Sequence, residues 1–568
     1  MRLARRELLQ VAAATAVLAA GGSTHAQTGR PTQDDLLRFK AVGQLTLLNF
    51  TDLHAQLVPI HFREPTANIG VGAARGLPPH LVGERLLEAF KLGRGTADAY
   101  ALAATDFEAL ARRFGRIGGL DRLATLVKAI RAERQGRVLL LDGGDTWQGS
   151  YTSLQTGGAD MVRVMNALGV DAMTAHWEFT YGARRVEELV SELAFPFLAG
   201  NVKDATWGDP VFKASMVAEC GGLRIGVVGQ AFPYTPVANP RYMIADWSFG
   251  IEEERVAAEV SRLRAEGVDL VVLLSHNGFD VDRKLAARVK GIDVILTGHT
   301  HDAIPGVIKV GDTLLVASGS HGKFLARLDL EVRERRIANY AFRLIPVLSD
   351  SITPDPEMAA LVADIRRPHD TALARVVGGT ESLLYRRGNF NGTFDDLICQ
   401  ALLSERDAEV ALSPGFRWGA TLLPGQAITM EDVYNQTAIT YPAAYRTSMT
   451  GAVLKQVMED VADNLFNPDP YYQQGGDMVR AGGLAYTLDI AKPAGQRVSD
   501  MVLLRTGEKV EAGKTYAVSG WASVNEDTEG PPIWDVVVRH LAKSGAVRIE
   551  PNRHVRVVGA DSAGLVGG

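Results

Sequence analysis

The chain has 568 residues, of which 46% are hydrophobic and 22% charged, enough for at least two hydrophobic cores. Its net charge of −6 is small for this length and argues against a nucleic-acid partner. The two cysteines, Cys220 and Cys399, fall in segments expected to form separate domains. This excludes a disulfide framework and argues against a cysteine-based metal site.

The first 26 residues have the pattern of an export signal. Arg5 and Arg6 lie in a charged start, residues 11–20 are apolar but too few to span a membrane, and an Ala-x-Ala-like cleavage site ends at Ala26. The arginine pair resembles a twin-arginine signal, with a plain secretory signal as the alternative. Because no other long apolar stretch follows, we expect a periplasmic mature protein with no membrane attachment.

Short apolar runs alternate with amphipathic stretches as far as residue 344, as is typical of an α/β domain. The predicted buried strands are 45–50, 138–141, 170–174, 223–228, 270–274 and 294–297. The clearest predicted helices between them are 120–134 and 253–266. Residues 60–116 interrupt the alternation and are interpreted as an insertion, with a helical part around 81–92.

The pattern predicts three parts after the signal. A first domain is expected at 27–350, a linker helix within 351–374 that Pro368 terminates, and a second domain at 375–568.

Residue types that bind metals follow five of the predicted strands. In chain order they are Asp52, His54, Asp145, His176, His276, His299 and His301. A single buried histidine is usually a core residue, and a single Asp after a strand is usually a helix cap. The whole set is better explained by a site beyond the carboxyl ends of the strands. Two carboxylates and five imidazoles suit a pair of Mn, Fe or Zn ions about 3.5–4 Å apart.

The motifs Asp-x-His, Gly-Gly-Asp, Ser-His-Asn-Gly and Gly-His-Thr-His resemble the two-metal core of the 5′-nucleotidase type of metallophosphoesterase. The resemblance covers nearly the whole mature chain. It implies a four-layer α/β/β/α catalytic domain and a C-terminal α/β substrate-binding domain. It also implies a ligand assignment and a hydroxide activated by both metals: Asp52, His54 and His301 on one ion, His176, His276 and His299 on the other, and Asp145 bridging them.

One segment departs from the nucleotidase pattern. Nucleotidases have Gly-Asn-His-Glu-Phe-Asp, in which the Asn binds metal and the His-Asp pair assists the leaving group. This chain has Ala-His-Trp-Glu-Phe-Thr, so that His176 takes the ligand position while Trp177 and Thr180 replace the pair. Acid–base groups contribute typically 10²–10⁴-fold, but a thiolate with a pKa of about 8.5 leaves without a proton donor. The sequence therefore favours a sulfur leaving group.

The His-Trp-Glu-Phe-Thr-Tyr-Gly segment, the signal and the insertion resemble the SoxB-type thiosulfohydrolases of bacterial sulfur oxidation. That resemblance implies two Mn²⁺ ions, with Zn²⁺ or Fe left open. It also implies hydrolysis of the terminal sulfonate from a cysteine S-thiosulfonate on the SoxYZ carrier protein, releasing sulfate. Asp145, His176 and Arg417 are the predicted catalytic residues.

The predicted substrate contacts are Arg417, Trp177, Thr180 and Tyr441. An Arg fork suits a sulfonate, although a surface salt bridge is the alternative for Arg417. His321 is a further candidate for the edge of the site, and Asp477 a weaker candidate contact.

Two other functions remain open. One is a periplasmic 5′-nucleotidase or 2′,3′-cyclic nucleotide phosphodiesterase in which another group does the work of the missing pair. The other is a non-catalytic binding module that keeps a decayed metal site.

Overall fold

The computed structural model describes residues 29–390 and 392–560, so the predicted signal, 1–26, lies outside the described residues. The described chain divides into two units. The first unit comprises the described residues up to Ile60, together with Glu84–Gln148 and Gln155–Arg367, and the second comprises His61–Gly83, Gly149–Leu154 and the described residues from Pro368 onward.

The strands of the described residues form six sheets. In chain order they are β1 (Leu45–Phe50), β2 (Val138–Asp142), β3 (Ala172–Met173), β4 (Lys203–Asp204), β5 (Ser215–Cys220), β6 (Leu223–Gln230), β7 (Trp247–Ser248), β8 (Leu270–Ser275), β9 (Val294–Thr297), β10 (Ile308–Val310), β11 (Thr313–Ala317), β12 (Phe324–Arg333), β13 (Arg336–Pro346), β14 (Val376–Thr380), β15 (Val410–Ser413), β16 (Ala427–Thr429), β17 (Ala444–Thr450), β18 (Arg480–Gly482), β19 (Leu484–Asp489), β20 (Val498–Leu503), β21 (Thr515–Trp521), β22 (Ala546–Val547) and β23 (Val555–Val558).

Helices separate most of these strands. The α-helices are α1 (Gln33–Leu37), α2 (Gly83–Ala89), α3 (Ala97–Leu102), α4 (Phe107–Phe114), α5 (Leu120–Glu133), α6 (Tyr151–Thr156), α7 (Ala159–Leu168), α8 (Ala183–Glu192), α9 (Thr235–Ala238), α10 (Glu253–Ala265), α11 (Phe279–Arg288), α12 (Pro356–Arg366), α13 (Asp370–Leu373), α14 (Thr393–Glu405), α15 (Met430–Thr437), α16 (Gly451–Phe466) and α17 (Ile533–Ser544).

Two mixed sheets form the centre of the first unit. One has the order β13-β12-β1-β2-β3, in which β1, β2 and β3 run parallel. The other has the order β10-β11-β9-β8-β6-β5, in which β6, β8, β9 and β11 run parallel. The strands β1 and β8 are mostly apolar and are buried throughout, as parallel strands covered on both faces are. The predicted fold class, a layered α/β/β/α domain followed by an α/β domain, is confirmed.

The register brings the carboxyl ends of neighbouring strands level with one another. Phe50 pairs with Asp142, and Asp142 pairs with Met173. Ser275 pairs with Thr297 in the other sheet. The loops that follow these strands therefore begin at a common edge of each sheet.

The second unit contains three small sheets, and α14 packs against α17. Part of the predicted insertion belongs to this unit rather than to the first. Glu64 accepts a hydrogen bond from Arg387 Nη1 at 3.0 Å, and the backbone N–H of Ile69 donates to Asn389 Oδ1 at 2.7 Å. The remainder of the insertion, from Glu84, belongs to the first unit.

No helix within residues 29–390 and 392–560 is long and apolar enough to cross a membrane.

The buried side chain of Arg480 links several segments of the second unit. Its guanidinium donates to the carbonyls of Arg386, Gly388, Asn389 and Met478 at 2.6–3.2 Å. It also lies 3.2 Å from Asp477 Oδ2 and 3.4 Å from Asp395 Oδ2.

We expect Arg480→Ala to lower the free energy of unfolding of the second unit by about 3–5 kcal/mol, because it leaves buried carboxylates and carbonyls without their donor. Urea denaturation followed by tryptophan fluorescence measures the change. Lys543→Ala in the same unit is the matched control, since Lys543 forms an ion pair with Glu405 but has 69% of its side chain exposed. Its expected cost is about 0–1 kcal/mol, and equal costs for the two variants would contradict the role of Arg480.

Candidate metal centre

All seven predicted metal residues lie in the first unit and are buried. They form two groups in which the ligand atoms lie within 4.8 Å of one another. One group is Asp52, His54, Asp145 and His301, and the other is His176, His276 and His299. The roles assigned to these residues stay predictions, but the structure brings together the side chains on which those predictions depend.

The first group is a tight set of imidazoles and carboxylates. The Nε2 atoms of His54 and His301 lie 3.0 Å apart. Asp52 Oδ1 lies 3.2 Å from His301 Nε2, and Asp145 Oδ2 lies 3.6 Å from His54 Nε2. Four potential ligand atoms thus point toward one small volume.

Asp145 also reaches the second group. Its Oδ2 atom lies 3.1 Å from His176 Nδ1 and 3.4 Å from His276 Nε2. A carboxylate that contacts both groups is suited to bridge two cations, as the sequence predicts.

The chemistry of the donors fits divalent transition metals. Burial lowers the pKa of His176 to about 4, so its imidazole is neutral, as a ligand must be. Its Nε2 atom is buried and has no hydrogen-bond partner among the described residues. His276 Nδ1 lies 2.6 Å from the carbonyl of Gly143, to which it can donate, and this orients Nε2 toward the group. Imidazole and carboxylate ligands suit Mn, Fe or Zn and do not single out one of them.

Burial and neighbouring charges shift the carboxylates in opposite directions. Burial raises the pKa of Asp52 to about 7. Burial alone would also raise the pKa of Asp145, but His54 and His176 hold it well below its usual range. Since two buried carboxylates repel each other, cations placed between them would favour the charged form of both.

The backbone of the site is strained. Five of the seven predicted ligands have positive φ angles: Asp52, His54, Asp145, His299 and His301. Such conformations persist only where surrounding contacts enforce them, and they cluster at functional sites. Here the N–H of Asp52 donates to the carbonyl of Gly144 at 2.8 Å, and the N–H of His54 donates to that of Asp145 at 2.9 Å.

Three further buried carboxylates hold the loops that carry the ligands, and the sequence analysis did not identify them. Asp142 accepts from the N–H of Gly144 at 2.9 Å, and Asp282 accepts from the hydroxyl of Thr297 at 2.6 Å. Among the residues that the structure describes, Glu178 accepts from backbone N–H groups alone. Their sequence signal is weak, because an acidic residue near a strand end has the same appearance whether it binds metal or backbone.

His321 lies against the first group, as the weaker prediction suggested. Its ring centroid is 5.3 Å from that of His54 and 5.7 Å from that of His301. Its backbone N–H donates to the carbonyl of Asp52 at 2.8 Å. Phe232, which the sequence analysis missed, packs on the second group with its ring centroid 4.1 Å from that of His176.

Trp177 and Thr180 lie in the 3₁₀ turn Trp177–Tyr181 that follows His176, and both are buried. The backbone N–H of Trp177 donates to Asp145 Oδ1 at 3.1 Å, and its ring centroid is 5.1 Å from that of His176. The two residues that replace the nucleotidase pair therefore belong to the turn that presents a predicted ligand.

Arg417 and Tyr441 lie in the second unit. Arg417 Nε donates to Asp477 Oδ1 at 3.1 Å, so the salt bridge of the alternative is present, but with a side chain only 10% exposed it does not lie on the surface. The predicted contact with substrate stays a prediction. Arg417 and Arg480 hold the pKa of Asp477 below its ordinary value, against the effect of burial. Tyr441 is buried.

Comparisons with known proteins agree with this architecture. The 5′-nucleotidase C-terminal domain family matches residues 376–531. The sulfate thiohydrolase SoxB of Thermus thermophilus superposes with a TM-score of 0.89 at 40% identity, covering 92% of this chain and 98% of that one. A 5′-nucleotidase precursor from the same species has a TM-score of 0.72 at 20% identity, covering 91% and 100%. The 5′-nucleotidase of Bos taurus is 26% identical over 434 residues, 69% of this chain and 73% of the bovine protein.

Gly298 has no room for a side chain beside the predicted ligands. A Cβ atom there would lie 2.4 Å from Thr51 Oγ1 and 2.8 Å from His276 Nδ1. We expect Gly298→Ala to displace His276 and lower Mn²⁺ affinity by about 10-fold or more, measured by isothermal titration. Gly513→Ala is the control, because a Cβ at Gly513 meets nothing within 4 Å. Unchanged Mn²⁺ affinity in Gly298→Ala would contradict the geometry described above.

Proposed function

The chain belongs to the SoxB-type hydrolases of the 5′-nucleotidase superfamily, and from this membership we propose that it is a thiosulfohydrolase acting on a carrier-bound substrate. The substrate in this proposal is a cysteine S-thiosulfonate on the SoxYZ carrier, and the products are sulfate and a carrier persulfide. The proposal includes two Mn²⁺ ions at the candidate centre, export by a twin-arginine-type signal, and action in the periplasm.

The observation that carries the proposal is the turn after β3. It supplies His176 to the second group of the metal centre, while Trp177 and Thr180 occupy the positions of the nucleotidase His-Asp pair. A sugar alkoxide is a strong base and needs a proton as it departs, whereas a persulfide, like a thiolate, departs as an anion. An indole and a buried threonine suit the second kind of leaving group.

The reaction joins the oxygen of a water molecule to the sulfone sulfur and breaks the bond between that sulfur and the neighbouring sulfane sulfur. The electron pair of the broken bond leaves with the persulfide anion, and both protons of the water pass to solvent as sulfate forms. Bound divalent cations would supply positive charge for the sulfonate oxygens and lower the pKa of water toward about 7. Asp145 contacts both groups of candidate ligands and would therefore help to hold both cations.

Arg417 is the proposed contact for a sulfonate oxygen. Its Nε is committed to Asp477, and this bond fixes the plane of the guanidinium. A fixed, planar guanidinium suits an oxyanion better than a mobile ammonium does.

The nucleotidase relatives support a second candidate, a 5′-nucleotidase or cyclic phosphodiesterase. It requires a group other than the missing pair to protonate the leaving alkoxide, and we rank it second for that reason.

Sulfate release tests the first candidate against the second. We expect the Mn²⁺-loaded protein to release sulfate from a thiosulfonate-charged SoxYZ carrier and to leave AMP intact in a parallel assay. Ion chromatography measures sulfate, and liquid chromatography measures adenosine. Asp145→Asn is the inactive control, expected to lose at least one metal and nearly all activity. Adenosine without sulfate would overturn the proposal in favour of the nucleotidase.

The leaving-group argument has its own test at position 177. We expect Trp177→His to remain without appreciable AMP hydrolysis, because residue 180 is still Thr and cannot orient the new imidazole. Thr180→Asp is the matched half-replacement and should be equally inactive on AMP, as measured by adenosine formation. A gain of about 100-fold or more from Trp177→His alone would refute the argument.

A further inference from the structure

Glu178 is a fully buried carboxylate that binds four backbone N–H groups. Its Oε1 atom accepts from Thr146 at 2.6 Å and from Trp147 at 3.2 Å. Its Oε2 atom accepts from His176 at 2.7 Å and from Asp145 at 3.2 Å. Among the described residues, no lysine or arginine forms an ion pair with it. Backbone N–H groups satisfy its two oxygen atoms, and a buried acceptor is costly to leave without such donors.

These bonds join two loops that each deliver a predicted ligand. The loop after β2 carries Asp145, and the turn after β3 carries His176. The connection runs both ways, because the N–H of Trp177 donates back to Asp145 Oδ1 at 3.1 Å. The side chains of Asp145 and His176 meet at 3.1 Å on the metal side of this connection.

Both ligands also have backbones that need support. Asp145 has a φ of +61°, and His176 has φ −149° and ψ −84°, outside the main allowed regions. The Oε2 atom of Glu178 bonds the N–H of each of them. A single carboxylate oxygen therefore restrains the two residues that link the two groups of the centre.

We propose that Glu178 is the positioning residue that sets the spacing between the two metal ions. It acts through the backbone of Asp145 and His176 and does not itself bind a cation. The inference deepens the proposed function, since it rests on a two-ion centre. Partners of this kind typically change metal affinity by about 10–100-fold when they are replaced.

The chain offers a matched control for a purely structural effect. Glu459 in the second unit is also a buried carboxylate that accepts backbone N–H groups, from Val498 at 2.7 Å and Arg497 at 3.1 Å. Replacing it removes the same kind of bond in the other unit. Glu459→Gln therefore reports the cost of losing such bonds without a change at the metal centre.

The experiment titrates Mn²⁺ alone into metal-free wild-type protein, Glu178→Gln and Glu459→Gln by calorimetry. Bound metal is then counted by mass spectrometry, and exchange coupling between the ions is recorded by electron paramagnetic resonance. We expect Glu178→Gln to bind one ion about 10–100-fold more weakly and to lose the coupled signal, because its amide NH₂ cannot accept. Glu459→Gln should bind two ions with wild-type affinity and keep the signal.

The other possible outcomes show whether the inference alone is wrong or the proposed metal centre is wrong as well. Two coupled ions of wild-type affinity in Glu178→Gln would overturn the inference alone. Equal losses in Glu178→Gln and Glu459→Gln would reduce Glu178 to a general structural residue and overturn it as well. Wild-type protein that binds no Mn²⁺ would overturn the proposed metal centre together with the inference.

A second variant covers the case in which Glu178→Gln does not fold. Glu178→Asp keeps the charge but is one methylene shorter and cannot reach both loops. We expect it to fold, to bind the second ion weakly, and to regain kcat on the carrier substrate at high Mn²⁺ with little change in KM. A folded Glu178→Asp protein with wild-type affinity for both ions would contradict the inference.

Discussion

The candidate metal centre depends on Asp145, whose carboxylate contacts residues of both groups. Asp145 Oδ2 lies within 3.6 Å of an imidazole nitrogen from each of His54, His176 and His276. A buried carboxylate that contacts so many ligand groups cannot be moved without disturbing all of them. The elements around it follow from this requirement: parallel strands that end level with one another, loops in strained conformations, and a set of buried acceptors that hold those loops.

The strained backbone of the predicted ligands and the buried carboxylates that accept hydrogen bonds from it have a common cause. Ligands that arrive from several strand ends must turn sharply toward a common volume, which forces positive φ angles at residues that are not glycine. Each such turn leaves backbone N–H groups facing inward, and a buried N–H needs an acceptor. Asp142 and Glu178 supply acceptors that carbonyls in regular strands could not.

Much of this could be predicted from the sequence, because the signals were local. The strands 45–50 and 294–297 were predicted with their observed bounds, since each is a short apolar run between turn residues. The strand predicted at 170–174 is only Ala172–Met173, at the edge of its sheet, where fewer ladder bonds fix its ends. That the predicted ligand residues lie close together was predictable, because parallel strands place their following residues at one edge.

What the sequence did not show depends on contacts between distant segments. Glu64 accepts a hydrogen bond from Arg387, more than 300 positions later in the chain. No local sequence pattern near either residue predicts that residues 61–83 belong to the second unit. The sequence analysis missed Glu178 and Asp282 for a different reason. They share their residue type and their place near a strand end with the predicted ligands, and only the identity of the hydrogen-bond donors separates the two roles.

If the proposed function is correct, the same distinction would explain how one architecture serves different leaving groups. Glu178 bonds only backbone N–H groups, so it fixes the path of the turn after β3 without regard to the side chains that the turn carries. The bonds of Glu178 to this turn therefore do not depend on which side chains stand at 176, 177 and 180. A histidine can replace the Asn ligand of the nucleotidases, and Trp177 and Thr180 can replace their proton-donating pair, while Asp145 stays in place. Under the proposed function, a change of leaving group at this site would need few substitutions, because the backbone holds the geometry of the centre and the side chains set its chemistry.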